Sequence, residues 1–225
     1  MRGAIFDLDG TLADTSQDLL AAANAALETE GLPLLDHARD RRWAGRGGRS
    51  MIRRSLSLAG RPIDTPEAVA LTDGLYPVLL EAYAGALADR TTLFDGVETC
   101  LDDLAARGWK LGVCTNKPEG LAIGVLTALG VLERFGALLG ADTLDVHKPH
   151  PDHFTETARR IGADPARSVM IGDTETDLKT ARAVGVPCIL TEFGFAEQPL
   201  SELAPDAIVA HYDEIPPLME RLSVA

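Results

Sequence analysis

The sequence predicts an α/β protein: an open parallel sheet carrying an inserted, all-helical second domain. Three observations predict it. From Asp95 onward, short apolar runs alternate with helical periodicity. An apolar N-terminal strand has no partner strand in the sequence until residue 110. The stretch between them, 14–88, shows helical spacing and no convincing strand.

The elements follow in order. The first strand runs from Gly3 to Leu8 and stops at Asp9-Gly10-Thr11. Leu19, Leu20, Ala23 and Leu27 share one helical face. The pattern returns at Ile52, Leu56 and Ala59, then at Leu71, Leu75, Val78, Leu79 and Ala82. Next come helix 96–107, strand Lys110 to Thr115, helix 119–131, strand Ala137 to Gly140 and helix 151–162. Strand Ser168 to Gly172, helix 176–185, strand Pro187 to Thr191 and strand Asp206 to Ala210 complete the series. The expected division is a core of 1–13 and 89–225 and a helical insertion of 14–88. The expected hinges lie around Ala13–Gln17 and Ala88–Asp95. Ligands of open α/β sheets bind beyond the carboxyl ends of the strands, so an insertion springing from that edge is expected to act as a lid.

Composition excludes several classes. A chain of 225 residues with 46% hydrophobic residues can bury a core. Its formal net charge of −13 opposes nucleic acid and anionic membranes as partners. No apolar run approaches the ~20 residues of a membrane span. Only Ala4-Ile5-Phe6 precedes the first acidic residue, so no secretory signal is expected. Cys100, Cys114 and Cys188 lie far apart without CxxC spacing, which fits a reducing compartment. The expected location is the cytoplasm.

Four constellations fall at the carboxyl ends of expected strands. In Asp7-Leu8-Asp9-Gly10-Thr11, residues two apart share a face, so both carboxylates look into one crevice. Such a pair persists when a cation neutralises it or one member is protonated, and it suits a nucleophile beside a general acid–base. Thr115-Asn116 offers a hydroxyl and backbone N–H groups at a strand-to-helix turn, suited to phosphate; taken alone it reads as a helix cap. In His147-Lys148-Pro149-His150-Pro151 the prolines fix the backbone around Lys148, so its ammonium can be aimed. The same prolines break any spacing that would converge the histidines at 147, 150 and 153 on a metal. Gly172-Asp173-Thr174-Glu175-Thr176-Asp177 ends one strand and opens a helix; a capping role fits Asp173 and Asp177, and so does a hard cation such as Mg²⁺.

Together, and in this order, the motifs resemble those of the haloacid-dehalogenase-type phosphohydrolases: Asp7-Leu8-Asp9-Gly10-Thr11, Thr115-Asn116, Lys148 and Gly172-Asp173…Asp177. The likeness spans the whole chain. It implies a Rossmann-like core with a parallel sheet and a small helical cap. It implies that Asp7 becomes an aspartyl-phosphate, while Asp9 protonates the leaving oxygen and then activates water. Mg²⁺ would be held by the Asp7 carboxylate, the Asp9 backbone carbonyl and the Asp173 carboxylate, with Asp177 orienting the metal shell or Lys148. Thr115, the Asn116 N–H and Lys148 would hold the non-transferred oxygens.

Within that family the sequence separates branches. Haloacid dehalogenases lack the second aspartate, which is present here as Asp9. Phosphonoacetaldehyde hydrolases use a lid lysine, and 14–88 contains no lysine. β-Phosphoglucomutases carry a lid histidine and a Lys-Gly where Leu19 and Ala44-Gly45 stand. The remaining likeness is to phosphoglycolate phosphatases, whose lid resembles Trp43-Ala44-Gly45-Arg46-Gly47-Gly48-Arg49-Ser50. Arginines 39, 41, 42, 46, 49, 53 and 54 crowd this region, and Arg46 or Arg49 is the expected partner of a substrate carboxylate. The expected partner molecule is a small phosphorylated metabolite, and the expected state a monomer or homodimer. Two alternatives stay open: a phosphatase of sugar phosphates, nucleotides or pyrophosphate, and a receiver-like module phosphorylated on aspartate. The lid and Asp9 both argue against the receiver.

Overall fold

A computed structural model describes residues 1–222. The chain divides into two compact units, Met1–Asp14 with Leu93–Ala225, and Thr15–Thr92.

The larger unit is built on a six-stranded parallel sheet. Its strands are β1 (Gly3–Phe6), β4 (Lys110–Cys114), β5 (Ala137–Leu139), β6 (Ser168–Gly172), β7 (Cys188–Thr191) and β8 (Ala207–Val209), in the order β5-β4-β1-β6-β7-β8. Two-residue strands β2 (Ala13–Asp14) and β3 (Thr92–Leu93) lie where the chain leaves this unit and returns. In register, Phe6 stands between Val113 of β4 and Ile171 of β6, so three strand ends meet at one level. The chain first builds outward to β5 and then jumps across β1 to β6. That reversal puts the crevice of an open α/β sheet beside the end of β1.

Both faces of the sheet are covered, as a parallel sheet requires. Ile5, Cys114, Met170, Cys188 and Leu190 join Phe154 and Ala158 of α7 (Pro151–Arg160) and Leu178 and Ala181 of α8 (Glu175–Val184) in one apolar cluster. The alternate residues Ala4, Phe6, Val113, Ile171 and Ile189 are also fully buried and take the other face by the period-two pleat. Helix α5 (Val97–Ala106) packs on β4 and on the last helix, α10 (Ile215–Leu222). The remaining helices of this unit are α6 (Glu119–Ala128) and the single turn α9 (Leu200–Leu203).

Observed ends differ from the sequence reading for local reasons. Strand β1 stops at Phe6, because the Leu8 N–H turns onto the Asp7 carboxylate (2.7 Å) and leaves the ladder. Helices α6 and α7 end at Ala128 and Arg160, two or three residues early. Gly130 and Gly162 follow with φ of 73° and 72°, the left-handed conformation that closes a helix.

The smaller unit is helical throughout: α1 (Ser16–Glu28), the short α2 (His37–Asp40), α3 (Gly48–Leu58) and α4 (Pro66–Gly85). Leu19, Leu20, Ala23, Leu27, Ile52, Leu56, Leu75 and Leu79 are buried where α1, α3 and α4 pack together. Thr65 caps α4, accepting from Ala68 N (3.3 Å), and Pro66 occupies the first helical position, where its missing N–H costs nothing. This unit reaches Thr92 rather than residue 88. The buried Asp18 carboxylate accepts from Arg90 N (3.0 Å), Thr91 N (2.8 Å) and Thr91 Oγ1 (2.7 Å), tying that segment to α1. Among the described residues, no helix is long and apolar enough to cross a membrane.

Candidate active site

The site is assembled from loops that follow five strands of the larger unit. Asp7 is the first residue beyond β1, and its N–H still donates to Ile171 O (2.9 Å), so its Cα is held in the sheet. Its carboxylate meets Lys148 Nζ at 3.0 Å. Lys148 Nζ also donates to Asp177 Oδ1 at 2.6 Å. The lysine side chain is 1% exposed, a burial that lysine tolerates only when paired. Its backbone is fixed by Asn116, whose Nδ2 donates to Lys148 O (2.9 Å).

The acidic cluster is equally determined. Asp173 is the first residue past β6. Its Oδ2 accepts from Phe195 N (2.6 Å) and its Oδ1 from Thr11 Oγ1 (3.3 Å). Asp177 sits in the first turn of α8, where its Oδ2 accepts from Asp173 N, Thr174 N and Thr174 Oγ1 at 3.3, 3.1 and 2.9 Å. With Thr174 it forms a reciprocal helix cap, so the capping role is real and leaves Oδ1 for Lys148. Gly172 lets the turn close: a Cβ there would lie 2.3 Å from Asp177 Cγ.

Asp7, Asp173 and Asp177 each offer an oxygen within 4.8 Å of the others, the one such group among the described residues. Asp7 and Asp177 share the Lys148 ammonium, while Asp173 takes its hydrogen bonds from Phe195 N and Thr11 Oγ1. Burial pushes the Asp7 carboxyl up to about 6 against the pull of Lys148, with Asp177 and Asp9 adding to the rise. Burial, then Asp177 and Asp7, raise Asp173 well above the carboxylate range. Burial works against the Lys148 ammonium, but Asp177 and Asp7 outweigh it and hold its pKa above that of an ordinary lysine. The surplus negative charge, all on oxygen, fits a hard divalent cation.

Asp9 stands apart from that cluster. Its carboxylate is engaged by Lys117, with Nζ at 2.9 Å from Oδ1 and 3.2 Å from Oδ2. Thr115 is buried beyond β4, its N–H on Leu139 O (3.0 Å) and its Oγ1 accepting from Lys117 N (3.2 Å). Of the histidines, His150 Nδ1 caps α7 by accepting from Asp152 N (3.3 Å). His153 is buried between Cys114 Sγ (3.4 Å) and Gly140 O (3.0 Å).

A profile of haloacid dehalogenase-like hydrolases matches residues 4–191. The chain belongs to that family. It is 38% identical over 219 residues to a phosphoglycolate phosphatase of Mesorhizobium japonicum, covering 97% of this chain and 95% of that one. It is likewise 38% identical over 211 residues to the phosphoglycolate phosphatase of Caulobacter vibrioides, with 94% and 87% covered. A crystal structure from Haemophilus somnus, called a predicted phosphoglycolate phosphatase, superposes with a TM-score of 0.84, at 27% identity and 96% coverage of both chains.

For this hydrolase, several contributors to the site escaped sequence reading. Lys117, directly after Asn116, carries no motif signature of its own. Phe195 acts through its backbone N–H, which leaves no side-chain signature. Gly194 beside it packs on the cluster, since a Cβ would fall 2.3 Å from Asp173 Cβ. Thr11 closes the first motif, and only the folded chain brings its hydroxyl to Asp173. Glu175 pairs with Lys179 at 2.9 Å on the surface of α8, outside the cluster. In the helical unit, the Arg46 guanidinium lies over Trp43 (4.8 Å). Arg49 lies over Tyr76 (3.9 Å) and pairs with Asp73 (3.0 Å).

Proposed function

We propose that the protein is a Mg²⁺-dependent phosphomonoester hydrolase that works through an aspartyl-phosphate on Asp7 and converts 2-phosphoglycolate to glycolate and phosphate. The observation that carries this reading is the cluster of Asp7, Asp173 and Asp177, two of them paired with the buried Lys148 ammonium, with Asp9 two residues from the proposed nucleophile. The choice of 2-phosphoglycolate draws on the relatives named for it.

The chemistry follows from these groups. An Asp7 carboxylate oxygen forms a bond to phosphorus as the phosphorus–alkoxide bond breaks, and Asp9 gives its proton to the departing oxygen. Asp9 then takes a proton from water as that water attacks phosphorus. The bond from Asp7 to phosphorus breaks, and inorganic phosphate leaves. Lys148, the Thr115 hydroxyl and the Asn116 N–H hold the non-transferred oxygens. Asp177 keeps Lys148 aimed, because both the lysine and its own cap are fixed. Asp7, Asp173 and the Asp9 carbonyl would hold Mg²⁺, with Asp177 supporting that shell; when bound, the ion supplies charge neutralisation to the phosphoryl oxygens. Arg46 and Arg49 are the residues proposed to read the substrate carboxylate.

The enzyme is proposed to act in the cytoplasm, as a monomer or homodimer, on a small phosphorylated metabolite. Its three cysteines are free and buried, in keeping with a reducing compartment. The test is phosphate release across small phosphorylated acids, sugars and nucleotides, with and without Mg²⁺, beside Asp7→Asn. Turnover on 2-phosphoglycolate far above the other esters, lost in the variant, is the expected result. Full turnover in Asp7→Asn would sink the mechanism. A sugar or nucleotide preference would replace the substrate alone. For Arg46→Ala and Arg49→Ala, a loss on 2-phosphoglycolate with an aryl phosphate spared supports the carboxylate role, and equal losses remove it.

A further inference from the structure

Lys117 has no part in the scheme above, yet it is one of the most enclosed cations of the larger unit. Its side chain is 3% exposed, and its ammonium straddles both oxygens of Asp9, itself 17% exposed. At that burial the pair is screened far less than a surface salt bridge. The lysine also starts from a fixed backbone. Its N–H donates to Thr115 Oγ1 (3.2 Å), and its carbonyl accepts from Ala141 N (2.9 Å). Gly140 packs against the same segment so closely that a Cβ would lie 2.7 Å from Lys117 O and 2.3 Å from Glu119 N. The loops after β4 and β5 are thereby locked together, and the stem of Lys117 projects from that lock to Asp9.

We propose that Lys117 is a positioning residue for Asp9, setting the direction of its carboxylate so that one oxygen meets the leaving oxygen of the ester. The inference rests on reading Asp9 as the proton donor. An acid–base group contributes only when it lies within hydrogen-bond reach of the atom it protonates. A carboxylate on a short side chain swings through a wide arc about two torsions. Lys117 meets both oxygens of the carboxylate form; when Asp9 carries its proton, one oxygen keeps the ammonium's hydrogen bond and the other is left aimed at the leaving oxygen, a constraint set before substrate arrives.

The experiment compares Lys117→Met, Lys117→Arg, Asp9→Asn and the Asp9→Asn/Lys117→Met double variant on two esters. One is 2-phosphoglycolate, or the fastest alkyl phosphate of the screen, whose alkoxide must be protonated to leave. The other is 4-nitrophenyl phosphate, whose leaving group departs as the anion. Positioning predicts that Lys117→Met lowers kcat/KM on the alkyl ester by about 100-fold, the scale of acid–base catalysis, and on the aryl ester by less than about tenfold. The loss should lie in kcat rather than KM. The double variant should be no slower than Asp9→Asn alone, since the two residues act as a unit. Lys117→Arg restores the charge with a different reach, so it should recover part of the alkyl activity. If the methionine variant does not fold, the arginine variant must still show the larger loss on the alkyl ester.

Equal losses of kcat/KM on both esters, a rise confined to KM, or single losses that multiply in the double variant would each overturn the proposal. Wild-type rates in Lys117→Met beside an inactive Asp9→Asn would remove this inference and leave the proposed function standing. An active Asp9→Asn on the alkyl ester would remove the proton-donor reading and this inference with it.

Discussion

Lys148 meets Asp7 and Asp177 at 3.0 and 2.6 Å, from a side chain that is 1% exposed. Its removal therefore costs in two ways. Asp7 and Asp177 lose their shared cation, and breaking a buried ion pair by deleting one partner costs about 3 kcal/mol or more. Lys148→Met should unfold at markedly lower denaturant, measured by circular dichroism, and its kcat should fall by about 10³-fold or more. Asp7→Asn differs in kind. It keeps the shape and removes the proposed nucleophile, so stability should hold while phosphate release falls by about 10³-fold or more. A stopped assay for released phosphate distinguishes the two.

At the scale of elements, loops rather than strands aim the chemistry. The loop after β7 delivers Phe195 N to Asp173 and places Gly194 where no side chain fits: a Cβ would stand 2.5 Å from Asp173 Oδ2 and 2.6 Å from Gly10 O. Gly194→Ala must push this loop off Asp173. The expected outcome is a kcat lowered by more than about tenfold with unchanged helical circular dichroism; a misplacement near 1 Å is enough for such a loss.

In the helical unit, buried Asp40 joins α2 to α3. Arg39 Nη2 and Arg54 Nε reach it at 2.6 and 2.9 Å, and Asp36 N donates to it at 3.0 Å. Burial alone would raise its pKa, but the hydrogen bonds from Arg39, Asp36 and Arg54 win and hold it below the usual carboxylate range. For a depressed carboxyl, the stabilisation is present above the unfolded value of about 4 and is lost as pH falls through the lower folded value. Asp40→Asn should cost about 2 kcal/mol at pH 7 and flatten the loss of stability toward pH 3, read from denaturant melts at both pH values.

Over the whole molecule, the proposed cation predicts a coupling between charge and folding. The chain carries a net −13, and the larger unit gathers three carboxylates within 4.8 Å of one another, two of them paired with one buried lysine. A divalent ion that binds the native cluster and not the unfolded chain stabilises the fold by mass action, about 2.7 kcal/mol at 100 times its Kd. Mg²⁺ should therefore raise the Tm of the wild type, and Asp173→Asn should lose most of that rise. Chelation with EDTA should abolish phosphate release, and added Mg²⁺ should restore it.

The division of labour between sequence and tertiary structure is visible in particular residues. Strand-helix alternation, the parallel sheet and the placement of Asp7 and Asp173 at strand ends were legible in the chain alone. Each depends on local periodicity and on a carboxylate following an apolar run, which neighbours in sequence suffice to create. Lys117 on Asp9, Phe195 N on Asp173 and the exclusion of a Cβ at Gly194 were not legible. Those contacts join residues 108, 22 and 21 positions apart, through a long side chain, a backbone N–H and a close approach. None of these leaves a mark on sequence pattern. The order β5-β4-β1-β6-β7-β8 decides them, because only the folded sheet brings the five loops to one edge. The chain by itself determined which groups carry charge and where strands stop; the tertiary fold decided which charges meet, because Coulomb and hydrogen-bond energies depend on distances that chain connectivity alone does not set.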